Sequence, residues 1–300
     1  MSGNREIIRA ELIEPVDPRV AEMAEAIAAE YRGAARAVLF YGSCLRERQL
    51  DGLMLDFYLI VSDYRSAYAS KWLAAANRLI PPNVFPFAKG GLRAKYAVLS
   101  EDDFARECSA AARSVSVYAR FAQPARLAWA RDEEARATAV AAAAQAPLTL
   151  LALTRATMTD DQASDPLAIW RKGFALTYGA ELRAERSSRS DSVVAADPDR
   201  YRRLAAAAGF EPGTGNGASD AKVRARAAKN WRRMQRKGKV LSVLRLAKAS
   251  FTFAGGIDYL AWKINRHAGT DIAIAPWQRR WPLLGALTLL PRLLSRGAIR

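Results

Sequence analysis

The stretch AVLFYGSCLRERQLDGLMLDFYLIV, residues 37–61, decides the architecture. Its first seven residues are an apolar run closed by a Gly42-Ser43 turn. Its last nine, LMLDFYLIV, are a second apolar run interrupted by one acid, Asp56. Apolar runs of this length, bounded by turn residues, predict two buried strands. Upstream, DPRVAEMAEAIAAEY (17–31) predicts a helix with Asp17 as N-cap and Pro18 in its first turn. Downstream, 66–79 predicts a helix, and VFPFAK with LRAKYAVL predicts a hairpin around Gly90-Gly91. Ser100, followed by Glu101 and Asp103, opens another helix.

Helix, strand, strand, helix and hairpin in that order predict an α+β fold on a mixed sheet. From about residue 113 to 208 the pattern is helical, with an alanine-rich stretch at 135–146. EPGTGNGAS (211–219) predicts a flexible linker. Its GTGNG is not a phosphate loop, because neither a preceding apolar strand nor a following Lys-Ser/Thr accompanies it. The expected division is a sheet domain over 1–130, a helical domain over 131–210, a linker over 211–220 and a basic region over 221–300.

Composition narrows the chemistry. The chain has 300 residues, two cysteines (Cys44 and Cys108) and one histidine, His267. That excludes a disulfide scaffold, a cysteine zinc site, a multi-histidine metal site and a Ser-His-Asp triad, so carboxylates and lysines must carry any reaction. The opening residues lack an apolar segment of signal-peptide length, and no apolar run reaches the ~20 residues that span a bilayer. The expected location is cytoplasmic, peripheral on the membrane's inner face.

Asp56 is the informative acid. A carboxylate among apolar strand residues is costly to bury unless a metal or hydrogen bonds compensate. A glycine turn lets backbone approach a triphosphate, and a serine hydroxyl with neighbouring amides can donate to its oxygens. Ser43 and Asp56 lie thirteen residues apart, and the pattern resembles nucleotidyltransferases of the polymerase-beta superfamily, which set a Gly-Ser turn before an acidic strand. That resemblance implies a polymerase-beta-like nucleotidyltransferase sheet followed by a helical domain.

Further blocks extend the likeness. YGS (41–43), MLDFYLIVSDY (54–64), AKYAVLSEDDF (94–104) and VYARFAQPARL (117–127) together resemble the mitochondrial-type CDP-diacylglycerol synthases, the Tam family of translocator-maintenance proteins. A looser echo runs through 174–193, so the resemblance covers about residues 37–205. It implies a Mg²⁺-dependent cytidylyltransferase that joins CTP to phosphatidate and releases pyrophosphate. Tyr41, Gly42, Ser43 and Arg120 would contact the nucleotide, Lys95 would be a catalytic cation, and Asp56 would hold the metal. Cys44 stands at the third position of the family's Gly-Ser-Gly, and Gln123 replaces its lysine. Tyr58 occupies the place of a paired acid, which leaves Asp51 and Asp63 as candidates for further metal ligands.

The net charge of +16 sits entirely in residues 221–300, where 18 Lys/Arg face only Asp258 and Asp271. Within 240–251, Val240, Val243, Leu244, Ala247 and Phe251 share one helical face, and Ser242, Arg245 and Lys248 another. Trp231, Trp262, Trp277 and Trp281 accompany them, followed by PLLGALTLLPRLL (282–294). Basic residues, tryptophans and amphipathic spacing predict a helix in an anionic membrane interface. Trp231, Arg232, Arg233, Arg236, Lys237, Lys239, Arg245 and Lys248 are the expected contacts. The same cations suit nucleic acid, which would make the chain an RNA- or protein-modifying nucleotidyltransferase. An inactive membrane adaptor on the same fold is the other alternative.

Overall fold

The computed structural model describes residues 2–47, 50–180, 189–213, 215–252 and 273–280. The chain begins with helices α1 (Ser2–Leu12) and α2 (Pro18–Glu30), then β1 (Ala35–Tyr41), a short α3 (Ser43–Glu47) and β2 (Met54–Val61). Helices α4 (Tyr64–Ala67) and α5 (Lys71–Leu79) lead to β3 (Asn83–Lys89) and β4 (Leu92–Ser100). After α6 (Glu101–Cys108), α7 (Tyr118–Phe121) and β5 (Ala125–Ala130), the rest is helical. It comprises α8 (Glu133–Ala143), α9 (Gln145–Arg155), α10 (Pro166–Tyr178), α11 (Arg189–Ala195), α12 (Pro198–Ala207) and the 32-residue α13 (Ala221–Thr252).

The five strands form one mixed sheet in the order β3-β4-β2-β1-β5. β2 and β4 run parallel, and the other neighbours are antiparallel. The fold is α+β, as expected. Alternation along the strands splits the sheet into two faces. Val38, Phe40, Leu55, Phe57, Leu59 and Val98 point to α2 and to Tyr64 and Tyr68 beyond β2. Leu39, Tyr58, Ile60 and Leu99 point the other way, into a core that continues through Phe104, Phe121 and Leu150 to Trp170, Tyr201 and Trp231. One core thus crosses the boundary expected near residue 130. Trp170 sits at its centre, stacked on Phe174, with its indole N–H donating to the Tyr201 carbonyl at 2.9 Å.

Asp17 caps α2 through the Arg19 amide, with Pro18 in the first turn, and the hairpin turns at Gly90 and Gly91, both at positive φ. The helix expected over 66–79 is two helices instead. The Asp63 carboxylate starts the first one early, and the chain extends through Tyr68 before Ser70 restarts it. The segment Glu133–Arg155 is long and apolar enough to cross a membrane, contrary to expectation, yet most of it is buried inside the protein. The loop read as a linker is hydrogen-bonded to the preceding helical region. The amides of Gly213 and Ala218 donate to Ser164 and Met158 carbonyls, Gly217 donates to Asp160, and buried Asn216 bridges the carbonyls of Glu211 and Ala163.

Candidate active site at the Gly42–Ser43 turn

β1 delivers Tyr41 to the sheet edge, where Gly42 turns at φ +100° into Ser43 and α3. In register, Tyr41 lies opposite Asp56 on β2, and Asp56 lies opposite Lys95 on β4. Three strands therefore bring residues 41, 56 and 95 into one row. Asp56 Oδ1 receives Lys95 Nζ at 3.0 Å, and the two side chains are 21 % and 38 % exposed. Oδ2 faces the turn: a Cβ placed on Gly42 would stand 2.9 Å from it. The pair is open enough to meet a ligand and enclosed enough to be held in place. The strand acid therefore already has an intramolecular cation as partner, which is one answer to the cost of its burial.

Tyr41 closes one side of the turn. Its ring packs 5.4 Å from Tyr58 and 6.0 Å from Phe121, which fixes α7 against the sheet. The half-buried Arg120 on α7 donates through Nη1 to the Ser116 carbonyl. Gln123, in the place of the family's lysine, donates to the Ala119 carbonyl. Cys44 is buried and donates its thiol to the Met54 carbonyl at 3.4 Å, so its extra bulk is spent bracing the turn against β2. Arg93 was not anticipated. It lies two residues before Lys95, exposed on the same face of β4, and adds a second cation. The period-two pattern of LRAKYAVL carried that signal.

The other two proposed metal ligands are engaged by other partners. Asp63 lies beyond the far end of β2, which finishes at Val61. There its carboxylate caps α4, accepting from the amides of Arg65 and Ser66 and from the Ser66 hydroxyl. Those bonds, the Ser66 hydroxyl's foremost, hold it below the ordinary carboxylate value. Asp51 is exposed on the loop before β2 and pairs with Arg19 at 3.1 Å, within an Asp17–Arg19–Asp51 chain. Among the described residues no group of three His, Cys, Asp or Glu side chains is placed to hold a metal.

The membrane contacts expected on α13 divide in two. Trp231 is buried, with its indole N–H on the Leu153 carbonyl at 2.9 Å. One heptad on, Gly238 touches backbone: a Cβ there would stand 2.3 Å from the Ala180 carbonyl oxygen. After another heptad, Arg245 donates to the Pro81 carbonyl at 2.7 Å and to the hydroxyls of Ser116 and Ser114. Lys248 is buried on the carbonyls of Ile80 and Pro82. Burial, and secondarily the nearby Arg245, push its amine down to about 7. These three side chains hold the fold together and are not available to a membrane. Arg232, Arg233, Arg236, Lys237 and Lys239 are exposed on the opposite side. Trp262, His267, Trp281 and 282–294 lie outside the described residues, as do the side chains of Ala247 and Phe251.

The class defined so far is an α+β protein with a carboxylate–lysine pair beside a glycine-serine turn. No family model matches the chain, and no curated protein matches it either. Among solved structures, it is similar to a nucleotidyltransferase-like protein from Exiguobacterium sibiricum 255-15, at 13% identity over 93% of this chain and 92% of that one. The TM-score is 0.28, too low for that likeness to bear on the fold or the site.

Proposed function

We propose that this chain is a nucleotidyltransferase whose reacting phosphates lie against the Gly42–Ser43 turn. The carrying observation is the approach of Asp56 to Gly42: a carboxylate oxygen sits where any other residue's Cβ would crowd it. The turn supplies a serine hydroxyl, Lys95 and Arg93 supply positive charge, and Asp56 supplies one anionic oxygen ligand. That set fits Mg²⁺, which takes one or two carboxylates and completes its shell with substrate phosphates and water. When bound, such an ion neutralises charge on a leaving pyrophosphate.

The resemblance to the Tam family makes CTP the nucleotide and phosphatidate the acceptor. A phosphatidate oxygen bonds to the α-phosphorus of CTP as the bond to pyrophosphate breaks. The attacking phosphate is already anionic, so no general base is required, which suits a chain with one histidine. In this reading Lys95 and Arg93 hold the phosphates in line, Ser43 donates to them, and Tyr41 walls the site. The test is CTP- and Mg²⁺-dependent pyrophosphate release with phosphatidate in mixed micelles. Activity is expected from the wild type and none from Asp56→Ala; activity without a lipid acceptor, or an unaffected variant, refutes the reading.

A second reading rests on the ion pair itself. Lys95 pairs with Asp56, and among the described residues no group of three His, Cys, Asp or Glu side chains is placed to hold a metal, so a fold that binds nucleotide without transferring it fits as well. Calorimetric CTP binding without pyrophosphate release identifies that case.

A further inference from the structure

α5 and the C-terminal half of α13 are tied together at the β3 edge of the sheet. Arg245 and Lys248 hold the carbonyls of Ile80, Pro81 and Pro82, the residues that directly follow Leu79 at the end of α5. These two elements carry four of the seven large apolar side chains exposed among the described residues. Trp72 is 57 % and Leu79 77 % exposed on α5, with Val240 and Leu244 on α13. The inner side of α5 is taken up by Ala74, Ala76 and Asn77, while Lys71, Trp72, Ala75, Arg78 and Leu79 face outward.

The electrostatics of the same two segments are one-sided. Residues 64–100 contain six Lys/Arg and no acid, and residues 221–252 contain eleven and no acid. The clamp therefore joins two acid-free stretches and sets Lys71, Arg78, Lys237 and Lys239, all exposed, in sequence beside the exposed apolar residues. Isolated exposed apolar residues are ordinary, but Trp72 and Leu79, seven residues apart on the outward side of one helix and each next in sequence to an exposed cation, mark an interaction surface. Tryptophan prefers the headgroup level of a bilayer, and lysine and arginine are drawn to anionic lipid. A nucleic acid would use the cations and could stack on Trp72, yet would give Leu79, Val240 and Leu244 no apolar partner.

From this we infer that the chain docks on an anionic membrane through the α5 edge, with Trp72 and Leu79 entering the interface beside Lys71 and Arg78. Of the contacts expected on α13, Trp231 and Lys248 are buried, and the surface inferred here adds α5 to the exposed Val240 and Leu244 of α13. It goes beyond the proposed reaction and is read without nucleotide, so either can fail alone.

The experiment is flotation of the full chain with phosphatidylcholine vesicles, with and without 30 mol % phosphatidylglycerol, in roughly 0.1 M salt, where surface charges are screened beyond about 10 Å. The wild type is expected to float with the anionic vesicles and not with the neutral ones. Trp72→Ser combined with Leu79→Ser should lower the bound fraction at least tenfold while keeping the urea midpoint. Val223→Ser, at the other end of α13, should behave as wild type. No flotation with anionic vesicles, or flotation indifferent to the double substitution, overturns the inference. It is also overturned if the double variant loses only self-association by light scattering, or only binding to a short RNA at matched salt. Those outcomes would assign the face to a second copy or to nucleic acid.

Discussion

Gly42→Ala tests the site at its narrowest point. Two costs follow from the geometry. The backbone at φ +100° lies in a region that L-residues rarely occupy, and holding one there costs about 1–3 kcal/mol. The new methyl would also stand 2.9 Å from Asp56 Oδ2 and 3.4 Å from its Cβ, so the carboxylate must swing away from the turn or the turn must open. Either movement loosens the alignment of Asp56 with Lys95 and Ser43. We expect a loss of about 1–3 kcal/mol in urea denaturation. Separately, CTP binding by calorimetry in the presence of Mg²⁺ should weaken at least tenfold, or about 1.4 kcal/mol. The structure-based reasoning fails if the variant is as stable as wild type and binds CTP equally well. A variant that is destabilised but binds normally would keep the strain argument and remove Asp56 from nucleotide recognition.

Other substitutions separate structural from functional carboxylates and cations. Asp63→Ala should cost about 1 kcal/mol through loss of the α4 cap and leave CTP affinity unchanged, as calorimetry can check. Gly238→Ala should reverse the usual sign: alanine gains up to about 1 kcal/mol inside an exposed helix. Here its methyl meets the Ala180 carbonyl, and overpacking of this kind costs about 1–3 kcal/mol by urea titration. Lys248 has a folded value near 7 against 10.5 for the free side chain. Its burial penalty is fully present below about pH 7 and is relieved as the pH rises toward 10.5. Between pH 7 and pH 9 the wild type should gain on the order of 2 kcal/mol relative to Lys248→Met, measured as the difference between urea curves at the two pH values.

Local chemistry made much of the frame legible. Asp17-Pro18, the two apolar runs around Gly42-Ser43 and the Gly90-Gly91 hairpin each announce themselves within a few residues, because caps, turns and strand periodicity are short-range effects. What needed three dimensions was register. Lys95 lies 39 residues from Asp56 in the chain, and only the parallel pairing of β4 with β2 puts them opposite one another. Asp63 was a candidate because Tyr58 fills the place of a paired acid, yet it lies beyond the far end of β2, where it caps a helix. The basic helix misled for a different reason. A tryptophan, an arginine and a lysine look alike whether they meet headgroups or the backbone carbonyls of their own protein, and composition does not distinguish them. The seven-residue spacing of Trp231, Gly238 and Arg245, with a glycine in the middle of the helix, was the available clue to a packed face.

That same spacing has a practical consequence for anyone dissecting the protein. Cutting the chain near residue 220 would look like trimming a charged appendage, but it would uncap the Leu153 carbonyl and empty the space filled by the Trp231 indole. It would also leave the Ile80 and Pro82 carbonyls without the lysine they share. A shortened version should therefore be soluble only if it retains the chain through Lys248, and a truncation for crystallisation or assay is better placed beyond that lysine than at the glycine-rich loop.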